Sequence, residues 1–174
     1  MRLREVNNAR FFVDWFNKGK NLDFVIDENF NDEQSHIDVV IRSKNLDKEI
    51  NIQNVAYRDG TLYAYGTSNI PGLRPLLVLG GAMSDIERKE SLIKCITDKE
   101  KKYPKSLVKN IVLIIEVTIP AITPEQIKKL FSAGIITDFM GVYFVQLPVT
   151  IPSVDDKYGE VGYVYPLKEI LFYV

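Results

Sequence analysis

Apolar positions recur every three or four residues in the first segment, roughly Leu3 to Lys18, where Val6, Ala9, Phe12, Val13 and Phe16 share one face. The pattern predicts an amphipathic helix that stops in NKGKN, with Gly19 as the breaker. The period then drops to two. The runs FVIDENF, IDVVIRS, INIQNVAY and TLYAYG alternate or are β-branched, Asn/Asp-rich turns separate them, and Asp59-Gly60 is a hairpin signal. Together they predict an antiparallel meander.

Downstream of NIPGLRP and an apolar run LLVL, the helical period returns. Ser84 and Glu87 spell a capping box, and Ile86, Leu92, Ile93 and Ile96 carry a stripe through a second helix that fades in TDKEKKYPK. NIVLIIEV is nearly continuous in apolar residues, as expected of a strand covered on both faces in a mixed or parallel sheet. Pro124 after Thr123 opens a third helix, PEQIKKLFSAG, with Gly134 as its stop. MGVYFVQLP and VGYVYPL read as two further strands. The order predicts an α/β fold: a mixed central sheet with an antiparallel meander, flanked by helices.

Composition narrows the class without choosing a function. A chain of 174 residues with 46% hydrophobic residues fits a single domain spanning residues 1–174 with one full core. The formal net charge of −1 gives no global pull toward nucleic acid, so any such contact needs a local patch. The one cysteine, Cys95, excludes an internal disulfide framework and fits a reducing compartment. With no signal-peptide pattern in MRLREVNNARFF and no apolar run long enough for a membrane span, the expected location is the cytoplasm.

The stretch HIDVVIRSKNLDKEINIQNV, His36 to Val55, carries the candidate chemistry. A turn centred between Asn45 and Leu46 sets Asp38 opposite Gln53, and Asn51 lies two residues away on the same face. A register shifted by one residue would turn Gln53 to the other side. The alternation favours the first register, because Ile37, Val39 and Ile41 then match Ile50 and Ile52 as the packed face. The plain alternative is the wet face of a hairpin, for which Asp, Asn and Gln are ordinary residues.

The order αβββαβ, with an acidic residue in the second strand and a polar-x-polar pair in the third, resembles the PD-(D/E)xK, or restriction-endonuclease-like, nuclease superfamily. In that superfamily the motif binds one or two Mg²⁺ ions and its lysine assists the attacking water. The resemblance spans roughly residues 3 to 146. It implies that Asp38 is the metal-binding acid, that Asn51-Ile52-Gln53 stands at the Glu-x-Lys position, and that Glu5 matches an acidic residue on the first helix. The catalytic set so implied is Asp38, Asn51, Gln53 and Glu5, with Asp38 as metal ligand and Mg²⁺-dependent hydrolysis of DNA as the reaction. Two amides replace the acid and the base of the motif, which weakens both metal affinity and catalysis. Asp23, Asp27, Glu28, Lys44 and Lys48 are candidates to compensate. An inactive nuclease fold serving as an interaction or dimerisation module stands as the alternative.

Other features carry less. Lys94, Lys99, Lys101, Lys102, Lys105 and Lys109 form the basic cluster, which is either a patch for DNA phosphates or a solvated helix end that favours the macrodipole. Gly80-Gly81 before a helix offers backbone N–H groups to a phosphate but has no P-loop lysine or spacing. QNVAY, Gln53 to Tyr57, spells the Gln-x-x-x-Tyr motif of one branch of the superfamily but falls inside a strand rather than on a helix. His36, the single histidine, excludes a multi-histidine zinc site and most Ser-His and Cys-His triads; a surface position or a supporting role beside Asp38 fits it. Cys95 reads as a packed thiol, and Trp15 as a core or oligomer contact. The apolar tail VGYVYPLKEILFYV is expected to dock on a sheet edge or on a second subunit.

Overall fold

The computed structural model describes residues 3–30, 37–57, 63–65, 77–79, 84–117, 122–152 and 158–171. The chain is α/β, with a six-stranded mixed sheet flanked by helices. Helix α1 (Leu3–Lys20) is followed by strands β1 (Val25–Ile26), β2 (Val39–Ser43) and β3 (Lys48–Tyr57). Strands β4 (Tyr63–Tyr65) and β5 (Leu77–Leu79) precede helix α2 (Asp85–Glu100), the short helix α3 (Lys105–Val108) and strand β6 (Ile111–Val117). Helix α4 (Pro124–Leu130) and strands β7 (Gly141–Pro152) and β8 (Tyr158–Lys168) complete the order.

The sheet runs β1-β2-β3-β6-β7-β8, antiparallel at its two ends and parallel across β3, β6 and β7. The meander is shorter than expected, because β4 pairs with β5 in a separate two-stranded ladder and leaves only β1 to β3 in the main sheet. Every residue of β6 is buried. Its side chains alternate between two cores, Ile111, Leu113, Ile115 and Val117 facing one and Val112 and Ile114 the other. The first core is closed by Leu92 and Ile96 of α2 with Ile127 and Leu130 of α4, and the second by Ala9, Phe12, Val13 and Phe16 of α1. A strand buried on both faces needs no polar alternation, which is why this one is apolar but for Glu116.

Helix α1 runs through Gly19, its expected breaker, to Lys20, and Asn21 takes the left-handed φ of 53°, whereas local signals fix the starts of α2 and α4. Ser84 and Glu87 make the reciprocal capping box at α2, and Thr123 with Gln126 makes a second at α4, where Pro124 takes the first turn. Helix α4 ends at Leu130, and the chain turns through to Gly134, whose φ of 74° is the left-handed conformation glycine adopts without cost. The tail docks on the sheet edge: β8 pairs along β7, and the buried Ile170 donates its backbone N–H to the Tyr143 hydroxyl at 2.9 Å.

Buried side-chain amide atoms at Asn8 and Asn54 have no hydrogen-bond partner among the described residues, and Asn8 contradicts its surroundings most plainly. Asn8 lies on the buried face of α1 with no exposed surface, and among the described residues neither its amide nitrogen nor its amide oxygen has a hydrogen-bond partner. An unpaired buried polar group costs about 1–3 kcal/mol, which an apolar residue of the same shape avoids. Asn8→Leu is therefore expected to raise unfolding stability by about 1 kcal/mol in urea denaturation. A loss of stability would contradict an unpaired amide at this position.

Candidate functional site

The β2–β3 hairpin has the register that places Asp38 against Gln53. Val39 pairs with Ile52, Val40 with Asn51 and Ile41 with Ile50, across a turn in which Asp47 takes a left-handed φ of 48°. Val39, Ile41, Ile50 and Ile52 pack against α1 as expected, whereas Ile37 departs and joins the core under α2 and α4. The opposite face is not wet. Gln53 is only 4% exposed and Asp38 and Asn51 are half-buried, because α2 and its following turn cover this side.

The ladder between β2 and β3 ends at Val39 and Ile52, yet β3 continues to Tyr57 beside β6. Asp38 sits where the strands part. Its N–H still donates to Ile52 O at 3.1 Å, and its side chain then takes over the role of a strand partner. Asp38 Oδ2 accepts the Asn54 backbone N–H at 2.6 Å and Gln53 Nε2 at 2.5 Å. The carboxylate thereby satisfies the first β3 donor beyond the ladder, a group that would be costly to bury unpaired. Gln53 Nε2 also donates to Asn54 O at 3.0 Å, and Gln53 Oε1 accepts the Tyr103 hydroxyl.

Tyr103 belongs to the turn that prolongs α2, held by Lys102 N–H to Lys99 O and by Tyr103 N–H to Glu100 O. Lys99, four residues earlier, falls on the same side of this helical path. Burial pulls the Lys99 ammonium below its usual range, and the Asp38 carboxylate acts in the opposite sense, with a smaller push from Glu5; Lys102 lowers it further. Burial, and secondarily the Asp38 charge, push the Tyr103 hydroxyl up to about 12. The sheet and two helices thus bring Asp38, Gln53, Tyr103 and Lys99 together, with Glu5 reaching Lys99 electrostatically from the first turn of α1.

The remaining candidates divide by position. Asn51 shares the Gln53 face but lies nearer the turn, beside Ile111, and its backbone N–H goes to Asn110 O at 3.2 Å. Asp23 accepts the Ser43 hydroxyl and the Asn45 N–H, Asp27 pairs with Arg42 at 3.0 Å, and Glu28 is exposed. Lys44 and Lys48 are exposed at the far end of the hairpin from Asp38. Within the lysine cluster, Lys94, Lys101, Lys102, Lys105 and Lys109 are exposed while Lys99 is half-buried, so Lys99 separates from the patch in which the sequence groups it. Gln53-to-Tyr57 lies within β3, as expected, and Cys95 is a half-buried thiol pushed up by burial. His36 and Gly80-Gly81 lie outside the described residues. Spacing offers one retrospective signal for what sequence reasoning missed: Lys99 and Tyr103 stand at i and i+4 in DKEKKY.

Among the described residues, no three His, Cys, Asp or Glu side chains group as metal ligands, and no helix is long and apolar enough to cross a membrane. No family model, curated protein or solved structure matches the chain.

The Tyr103 shift has a definite sign. The unfolded chain loses this proton near pH 10 and the folded chain keeps it to about 12, so stability from this group is complete below pH 10 and is lost as pH rises through that interval. Denaturant titrations are expected to show a shallower loss between pH 10 and 12 in Tyr103→Phe than in the wild type. Parallel pH profiles would contradict the placement of Tyr103.

Proposed function

We propose that the chain is a restriction-endonuclease-like domain with a rearranged site, acting on DNA phosphodiesters, in which Lys99 supplies the cation that the strand motif lacks. What supports this reading is the convergence of a half-buried lysine from α2 on the Asp38 carboxylate, beside the amide that stands where the motif lysine would be. The antiparallel β1-β2-β3 unit joined in parallel to β6 through α2 agrees with the αβββαβ order on which the resemblance rests.

Mg²⁺ commonly takes one or two carboxylates and completes its shell with water and substrate phosphate, so the half-buried Asp38, with Glu5 as a second carboxylate, would be the residues to hold it. When bound, Mg²⁺ would polarise the phosphoryl oxygen and acidify a water. The chain's own part is to hold Asp38 toward the opening with two N–H donors and to set an ammonium where negative charge develops on the phosphoryl group. Exposed Lys94 of α2, Lys101 and Lys102 in the turn after it and Lys105 of α3 would give the DNA backbone a local basic surface.

A second reading, an inactive fold used for interaction or dimerisation, draws on one observation. The donors on Asp38 Oδ2 are a neutral amide and a backbone N–H, an arrangement that also serves purely to close the sheet.

Cleavage of plasmid and single-stranded DNA with millimolar Mg²⁺ or Mn²⁺ separates the two. The nuclease reading predicts metal-dependent cleavage, reduced on the order of 100-fold or more in both Asp38→Ala and Lys99→Ala, the scale of losing one charge-stabilising group. Wild-type protein that cleaves neither substrate with either ion would leave the interaction module as the function.

A further inference from the structure

Gln53 is the most constrained polar side chain of the cleft. Its two Nε2 hydrogens are assigned, one to Asp38 Oδ2 at 2.5 Å and one to Asn54 O at 3.0 Å, and its Oε1 accepts the Tyr103 hydroxyl. The two acceptors fix which end of the amide is nitrogen, because a flipped carboxamide would set oxygen against oxygen at both. Both donors are used, so Gln53 can donate to no substrate or water without breaking one of these bonds, and only the second lone pair of its oxygen is left to accept. Its chemistry in place is mechanical.

Tyr103 gives that mechanics a direction. Its ring is 8% exposed and packs in the core under α2 and α4, so its hydroxyl is fixed relative to the end of α2. Lys99 rides on the same helical path one turn earlier. A continuous hydrogen-bonded line therefore runs from the end of α2 through Gln53 to the Asp38 carboxylate.

We propose that Tyr103 and Gln53 are positioning residues, a latch that ties the Lys99-bearing end of α2 to the Asp38 carboxylate and holds cation and carboxylate in fixed relation. The latch rests on the reading of this cleft as the phosphodiester site for its functional consequence, but not for its existence. It also reassigns Gln53, which the motif places among the catalytic groups, to a role exerted through Asp38.

Tyr103→Phe keeps the ring and removes only the hydroxyl, so the fold is retained. The side-chain NH₂ of Gln53, observed by ¹⁵N NMR, reports the latch directly without any need for activity. In the wild type its hydrogens are expected to exchange slowly, and in Tyr103→Phe exchange is expected to accelerate about tenfold, the scale of one lost hydrogen bond. In DNA cleavage, Tyr103→Phe is expected to lower kcat by about tenfold with KM unchanged, and to have no further effect in a Gln53→Met background, because the latch acts on Asp38 through Gln53. Unchanged Gln53 NH₂ exchange in Tyr103→Phe overturns the latch, as does a second loss of kcat in the Gln53→Met background. Wild-type protein that cleaves no DNA but shows the exchange change would sink the nuclease function and leave the latch standing.

Discussion

The Asp38 carboxylate at the point where β2 leaves β3 is the contact on which the site depends. A sheet that opens between two strands exposes backbone donors inside a covered layer, and each must be answered or the opening collapses. Asp38 answers the Asn54 N–H and, in the same stroke, becomes a negative charge held beneath α2. Placing a charge there is costly without compensation, and the compensation comes from an amide, a backbone donor and a nearby ammonium. The cleft, its charge pattern and its reach to three elements follow from that one substitution of a side chain for a strand.

The supporting layers are arranged to hold this opening. Strand β6, apolar but for Glu116, lies between the two cores and pairs with β3 beyond the end of the hairpin ladder. On one side, Arg4 of α1 pairs with the buried Glu116 of β6, which fixes the first turn of α1 and with it Glu5. On the other, the capping box at Ser84 and the Lys129–Asp85 pair, 2.8 Å long, fix the start of α2 against α4. The far end of α2 is fastened through Tyr103 and through the Thr137 hydroxyl on Glu100. Polar contacts thus clamp both ends of a helix whose middle buries Leu92 and Ile96.

Much of this was legible in the residues, and what was not has physical reasons. The helices announced themselves by period and caps, and the hairpin register followed from matching Ile50 and Ile52 to Val39 and Ile41. Strand β4 was misassigned to the meander because alternation describes a strand but not its partner, and its partner Leu77–Leu79 lies beyond a long connection. The polar face looked solvated because the covering helix comes from residues more than thirty positions later. For the same reason Lys99 read as one lysine in a basic run. Only the fold of α2 over β3 distinguishes it from Lys101 and Lys102, whose side chains are exposed.

The central claim is that Asp38 and Lys99 are electrostatic partners inside the cleft, and a ¹⁵N NMR titration of the Lys99 Nζ in wild-type and Asp38→Asn protein tests it most directly. Burial already depresses this lysine and the carboxylate opposes that depression. The Asp38→Asn substitution is therefore predicted to move the Lys99 midpoint further down. A midpoint that stays where it was would contradict the partnership.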